Sequence, residues 1–111
     1  MIQTVLLSLF AGVFAANGVP HFVRGITKST YPSALGYGPV VNLVSGWVMF
    51  VLAALVGFAA HVTEHPSAAF AAAALGVLLM GLFHAAIGAF GRRPPLDGPG
   101  APSTPGRPRV S

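Results

Sequence analysis

The sequence predicts an all-α membrane protein, with three transmembrane helices in a compact bundle and a disordered C-terminal tail. Of its 111 residues, 54% are hydrophobic and 7% are charged, whereas roughly 25% are charged in an ordinary soluble domain. The charges leave three long gaps: 23 residues before Arg24, 35 between Lys28 and Glu64, and 27 between Glu64 and Arg92. A helix crosses a bilayer core with about 20 apolar residues, so each gap holds one span.

The limits of the spans follow from prolines, glycines and charges. Pro20 has no N–H for the helix ladder, so the first helix is expected to kink or end near Gly18. Only five residues, 61–65, lie between the second and third spans, which forces an antiparallel hairpin. Backbone in lipid must satisfy its own hydrogen bonds, so these long apolar runs are helical. The predicted bundle domain covers residues 1–91, with spans at about 2–18, 40–60 and 67–90.

Residues 92–111 are rich in Pro, Gly and Arg and carry almost no bulky apolar side chains. Such a segment cannot bury a core, so a disordered cytoplasmic tail is expected. A solvated tail that holds the last helix at the interface is favoured over a proline-rich docking peptide. At the other end, no positive region precedes the first span, which disfavours its removal as a signal peptide.

The basic residues predict the orientation. The first link carries Arg24 and Lys28, the tail carries four arginines, and the link between spans 2 and 3 carries none. Cytoplasmic segments are enriched in Lys and Arg, so the N-terminus is expected outside a bacterial inner membrane and the C-terminus in the cytoplasm. The positive charge thus reports topology, and no nucleic-acid partner is expected, because no exposed basic face exists on a folded surface.

Small residues recur at helical spacing in all three spans. In lipid, such residues let helices approach closely. The stripes fit a compact bundle within the lipid bilayer, or one that also self-associates as a homo-oligomer or joins a larger membrane complex. They comprise Ser8, Gly12 and Ala16 in span 1, Asn42, Gly46, Met49, Ala53, Val56 and Ala60 in span 2, and Ala74, Val77, Gly81, His84 and Gly88 in span 3.

Four polar residues from the three spans fall at one depth in this topology. Polar residues inside a membrane are rare and informative. One interpretation is interhelical hydrogen bonding that also satisfies the backbone freed by Pro20. The other is a small polar pocket for a ligand, a proton or a cofactor. The four residues of this predicted polar cluster are Asn17, His21, Asn42 and His84.

Two histidine patterns in the sequence resemble metal sites. His21 and His84 offer imidazoles from two spans, the minimum for axial haem ligation, but only Arg24 is placed to bind a propionate, and no cofactor is expected. His61 and His65 belong to an HxxEH pattern typical of inverted zinc peptidases. That segment is a short loop, and no third ligand is evident. No metal centre is therefore expected, beyond weak adventitious binding by His61 and His65.

The chain offers few groups for catalysis. It has no cysteine, and its only acidic residues, Glu64 and Asp97, lie outside the spans. A non-enzymatic accessory or structural role is therefore predicted. The alternatives are a ligand- or haem-binding protein that uses the cluster around His21 and His84, and an oligomeric small-solute channel.

The segment from Asn17 to Gly25 reads NGVPHFVRG, and Asn42 begins an N-x-x-x-G-W start to the second span. This pattern resembles a group of small uncharacterised bacterial integral membrane proteins with an NGxPHFxxG segment after the first span. The resemblance covers roughly residues 1–93, and the loop after Lys28 departs from it. It implies a small multi-pass inner-membrane protein. The motif is carried by Asn17, Pro20, His21 and Phe22, with Asn42 and Trp47 as partners.

Reporter fusions test the predicted topology. A fusion after Glu64 should report the periplasm and a fusion after Pro95 the cytoplasm, because the two positions flank the third span. The same side for both reporters would contradict a three-span protein.

Overall fold

The computed structural model describes residues 1–87, which form three helices: α1 (Ile2–Ile26), α2 (Pro39–Ala59) and α3 (Pro66–Ala86). All three are long and apolar enough to cross a membrane. Within these residues the only β-type pairing is an isolated bridge between Ser33 and Gly36. The predicted all-α, three-span fold is confirmed. The predicted tail and the last residues of the predicted third span lie outside the described residues.

Helix α1 runs through Pro20 without interruption and ends only at Ile26. The helix therefore does not end near Gly18, and that expectation is wrong. Proline removes a single hydrogen bond, to the carbonyl of Ala16, and membrane helices tolerate this where neighbouring helices support them. Helix α1 packs against both other helices. The two turns that follow Gly18 therefore remain helical and carry His21 and Arg24.

The central element is α1, which lies between α2 and α3 and contacts both, whereas α2 and α3 hardly touch each other. The short link 60–65 joins α2 to α3 beside the N-terminus of α1. There the Gln3 side chain donates a hydrogen bond from Nε2 to the Ala59 carbonyl at 3.1 Å. His61 in this link adopts φ 50°, a left-handed conformation that helps reverse the chain. Hence α1 and α3 run parallel, and α2 runs antiparallel to both.

The interior consists of small and polar side chains, and the large apolar ones face outward. Among residues 1–87, the buried apolar residues apart from glycines are three alanines and Pro32, whereas Phe58 is 92% exposed and Phe70 is 78% exposed. A water-soluble protein buries such side chains. A bundle in lipid gains nothing by doing so and packs instead through close backbone contact. The buried side chains within residues 1–87 are Pro32, Ala60, Ala69, Ala72, Thr4, Ser8, His21, Ser33 and Asn42.

Glycines allow the backbones to meet. A Cβ on Gly12 would collide with the Ala73 carbonyl of α3, and a Cβ on Gly76 would collide with the Leu9 carbonyl of α1. On the other side of α1, a Cβ on Gly46 would lie 2.5 Å from the backbone nitrogen of Phe22. The close approach of α1 to both neighbours therefore requires glycine at these positions.

The predicted packing stripe of α3 is wrong. The helix buries Ala69, Ala72 and Gly76 against α1, whereas Ala74 and Val77 are exposed. A Cβ on Gly81 would meet no atom within 4 Å. Small residues occur on every face of this alanine-rich helix, so their spacing could not identify the buried face. Of that stripe, Val77, Gly81 and His84 line a groove beside α1, and Gly88 lies outside the described residues.

Two glycines of α3 provide a matched test of this packing. Gly76→Ala should lower the free energy of unfolding by about 1–3 kcal/mol, because the added methyl group strikes the α1 backbone. Gly81→Ala should be neutral or stabilise by up to about 1 kcal/mol, since it adds helix propensity in open space. Reversible unfolding in mixed detergent micelles measures both. Equal destabilisation by the two changes would contradict the placement of α3.

Candidate functional site

Asn42 is the fully buried centre of the polar cluster. Its Nδ2 donates hydrogen bonds to the carbonyls of Tyr31, Gly38 and Tyr37 at 2.7, 3.0 and 3.3 Å. Three carbonyls around one atom identify it as the amide nitrogen, so Oδ1 is the acceptor on the other side. Asn42 therefore fastens the α1–α2 loop to the first turn of α2 and presents an acceptor to α1.

His21 on α1 forms a hydrogen bond with that acceptor. Its Nδ1 lies 2.7 Å from Asn42 Oδ1, and the side chain is only 4% exposed. Because Oδ1 can only accept, Nδ1 carries the proton and donates it. Interhelical hydrogen bonding within the cluster, one of the two sequence interpretations, is therefore present between His21 and Asn42. It is direct, and it joins two helices within a buried region.

The loop closes over the ring of His21. Tyr31 packs edge-on against that ring, with centroids 5.2 Å apart, and the Arg24 guanidinium lies 5.5 Å from the centre of the Tyr31 ring. Burial raises the pKa of the Tyr31 hydroxyl, although the charge of Arg24 acts in the opposite direction. The hydroxyl therefore stays protonated at neutral pH. Arg24 thus has an aromatic partner beside the cluster.

A tight turn shapes the rest of the loop. The backbones of Ser33 and Gly36 pair, and the Ser33 hydroxyl donates to the Gly36 carbonyl at 2.6 Å. Gly36 adopts φ 142°, which glycine alone adopts readily. A hydrogen bond from the Tyr31 N–H to the Tyr37 carbonyl closes the base of the turn at 3.1 Å. Two of the carbonyls bound by the Asn42 side chain, those of Tyr31 and Tyr37, belong to this turn.

His84 on α3 lies next to His21. The two rings are 6.2 Å apart, with planes at 77°. The Nδ1 of His84 donates to the Met80 carbonyl, one turn earlier, at 2.9 Å. Its Nε2 is buried and has no hydrogen-bond partner among residues 1–87. His84 is thus part of the cluster through ring contact, with one polar atom unused.

The other residues predicted for the site lie around His21, Asn42 and His84 and are not part of that group. Asn17 lines a groove next to His21 and makes no hydrogen bond within the described chain. Phe22 packs its ring 5.4 Å from that of Phe50 on the opposite helix. Trp47 is 58% exposed, so its predicted partnership with the motif is not observed. Pro20 lies in the wall between α1 and α3.

Two grooves flank the histidine pair. One, of about 500 Å³, lies between α1 and α3 and is lined by Val19, Pro20, Gly81 and His84. The other, of about 300 Å³, lies between α1, α2 and the loop, and His21 is part of its wall. The two rings therefore border different grooves and stand in the partition between them. Both grooves are lined mainly by apolar side chains.

The HxxEH segment forms an exposed turn at the opposite end of the bundle. His61 Nδ1 lies 3.4 Å from Glu64 Oε1, with both side chains more than half exposed. No group of three or more potential metal ligands occurs among the described residues. The arrangement is a solvent-exposed contact between an imidazole and a carboxylate, of a kind that contributes little to stability.

The polar cluster is explained only partly by the two sequence interpretations. Interhelical hydrogen bonding is present between His21 and Asn42. Neither histidine binds the Ala16 carbonyl freed by Pro20, because their Nδ1 atoms are committed to Asn42 and Met80. Sequence reasoning missed Tyr31 and Ser33, which lie in the loop. Their only signal was the turn composition around Gly36.

No protein-family model, curated protein or solved structure matches this chain.

A double-mutant cycle tests the hydrogen bond between His21 and Asn42. The effects of His21→Ala and Asn42→Ala on unfolding should be less than additive, with a coupling energy of about 0.6–2 kcal/mol. As the control, His61→Ala and Asn42→Ala should add to within about 0.5 kcal/mol, because these residues lie at opposite ends of α2. Additivity in the first cycle would show that the contact contributes nothing.

Proposed function

We propose that this chain is a small multi-pass protein of the bacterial inner membrane with a non-enzymatic accessory or structural role. The observation that carries this proposal is the use of its buried polar groups. The Asn42 amide is fully engaged, and the Nδ1 atoms of His21 and His84 are both committed to protein acceptors. These bonds fix helices and a loop, which suits a scaffold better than a reaction centre.

The outward distribution of large apolar side chains supports a role inside the bilayer. Phe58 and Phe70 are almost fully exposed on different helices. Such side chains contact lipid or the helices of another membrane protein. Since α2 and α3 hardly meet, each helix keeps most of its surface for such contacts. A subunit or stabiliser of a larger membrane complex, or of a homo-oligomer, is consistent with this shape.

The charge distribution supports a cytoplasmic location for the end that holds the polar cluster. Arg24 and Lys28 lie at that end, whereas the link between α2 and α3 has no Lys or Arg. Under the positive-inside rule, the cluster end faces the cytoplasm and the N-terminus lies outside. The resemblance of the NGVPHFVRG segment to bacterial membrane proteins favours the inner membrane.

Haem binding, the first alternative, has less support. A haem held by His21 and His84 needs both rings in one slot, on opposite faces of a flat macrocycle. The rings instead border separate grooves. A macrocycle would therefore have to separate α1 from α3, which meet through the Gly12 and Gly76 backbone contacts.

Quantitative membrane proteomics tests the accessory role. Tagged protein, purified in mild detergent from native membranes, should carry another membrane protein at a fixed ratio. Deletion of this chain should lower the level of that partner, because an unassembled subunit is degraded. His61→Ala, at an exposed and solvated position, should preserve the association. A chain that purifies alone, and whose deletion leaves the membrane proteome unchanged, would contradict the proposal.

A further inference from the structure

The Nε2 atom of His84 is a buried acceptor that no group among residues 1–87 satisfies. Because Nδ1–H is donated to the Met80 carbonyl, the neutral ring carries its lone pair on Nε2. A buried polar atom without a partner costs about 1–3 kcal/mol. Native proteins that retain such an atom commonly use it for an unseen water, an ion or a functional contact. Its surroundings indicate which of these applies.

The neighbouring ring of His21 is held in the same tautomer. Its Nδ1–H donates to Asn42 Oδ1, whose identity is fixed by the carbonyls around Nδ2. The lone pair of the neutral His21 ring therefore also lies on Nε2. In metal sites, a ligating histidine almost always donates its other N–H to a carbonyl, a carboxylate or water, which fixes the ring and raises its basicity. Both histidines have this second contact.

The separation of the rings suits a single bound ion. An ion bonded to both Nε2 atoms at about 2 Å each would place the ring centres roughly 6 Å apart. The observed centroid distance is 6.2 Å, with ring planes at 77°. The separation of the ring centres therefore matches a two-coordinate ion held between the two Nε2 atoms.

We propose that His21 and His84 form a two-coordinate site for a soft monovalent metal ion, with copper(I) as the chemical type. Both ligands are neutral, and no third His, Asp or Glu completes a metal-binding group within the described chain. A divalent ion such as Zn²⁺ normally takes four ligands. In a low-dielectric interior, a single charge has the smaller desolvation cost.

Two methionines in the same region of the bundle suit this choice of ion. Met49 lines the same groove as His21, and Met80 precedes His84 by one turn on α3. Thioether sulfur is a soft ligand that favours copper(I) over harder divalent ions. The proposal goes beyond the accessory role and does not depend on it, since a chain without any protein partner would still bind the ion.

The test uses the full chain in detergent micelles under anaerobic conditions, with copper(I) supplied in competition with a chromophoric chelator. One ion should bind per chain, and His21→Ala or His84→Ala should each abolish that binding. Asn42→Ala should weaken it about 10- to 100-fold, as expected when the partner of a ligating histidine is lost. The control His65→Ala, in the exposed link, should bind as the wild type does.

X-ray absorption on the copper-loaded wild type should show a low-coordinate copper(I) with imidazole nitrogen ligands, a result that does not depend on the variants folding. Undiminished binding in His84→Ala, or binding lost only in His65→Ala, would overturn the proposal. So would the absence of stoichiometric binding, or an absorption spectrum without imidazole ligands. A Soret band in the purified protein that disappears in His21→Ala would show that the site binds a haem and not the ion. None of these outcomes depends on whether the chain also co-purifies with a protein partner.

Discussion

The hydrogen bonds of the Asn42 side chain fix one end of this protein. A fully buried amide holds three loop carbonyls with its nitrogen and one histidine of α1 with its oxygen. Both the nitrogen and the oxygen of the amide are therefore engaged. Removal of the amide would leave the Tyr31 carbonyl and the His21 N–H without a partner, at about 1–3 kcal/mol for each group. The carbonyls of Tyr37 and Gly38 would keep their backbone donors. The first turn of α2, the loop and α1 thus depend on a single side chain.

Close backbone contact replaces a hydrophobic core elsewhere in the bundle. Gly12 and Gly76 bring α1 against α3, and Gly46 brings α2 against α1. The large apolar side chains are left outside, where lipid solvates them. Because α1 alone joins the other two helices, its two seams of small residues and the polar end together determine the arrangement.

The sequence allowed prediction of the spans and of one decisive contact. Gaps between charges identified three helices, because lipid tolerates few charges and requires a fixed length. The contact between His21 and Asn42 was predictable because polar residues at one depth seek each other. The continuation of α1 past Pro20 was not, since it depends on support from both neighbouring helices. The buried face of α3 was hidden by its alanine content, and the partners of Asn42 are backbone atoms that residue identity does not reveal.

The tautomer of His21 is the most direct test of this account. ¹⁵N NMR of imidazole-labelled protein in lipid nanodiscs reports which ring nitrogen carries the proton. The account predicts that Nδ1 of His21 carries the proton donated to Asn42 Oδ1, and a mixture of tautomers in Asn42→Ala. A wild-type ring protonated at Nε2, or one unaffected by the loss of Asn42, would contradict the central role of this hydrogen bond.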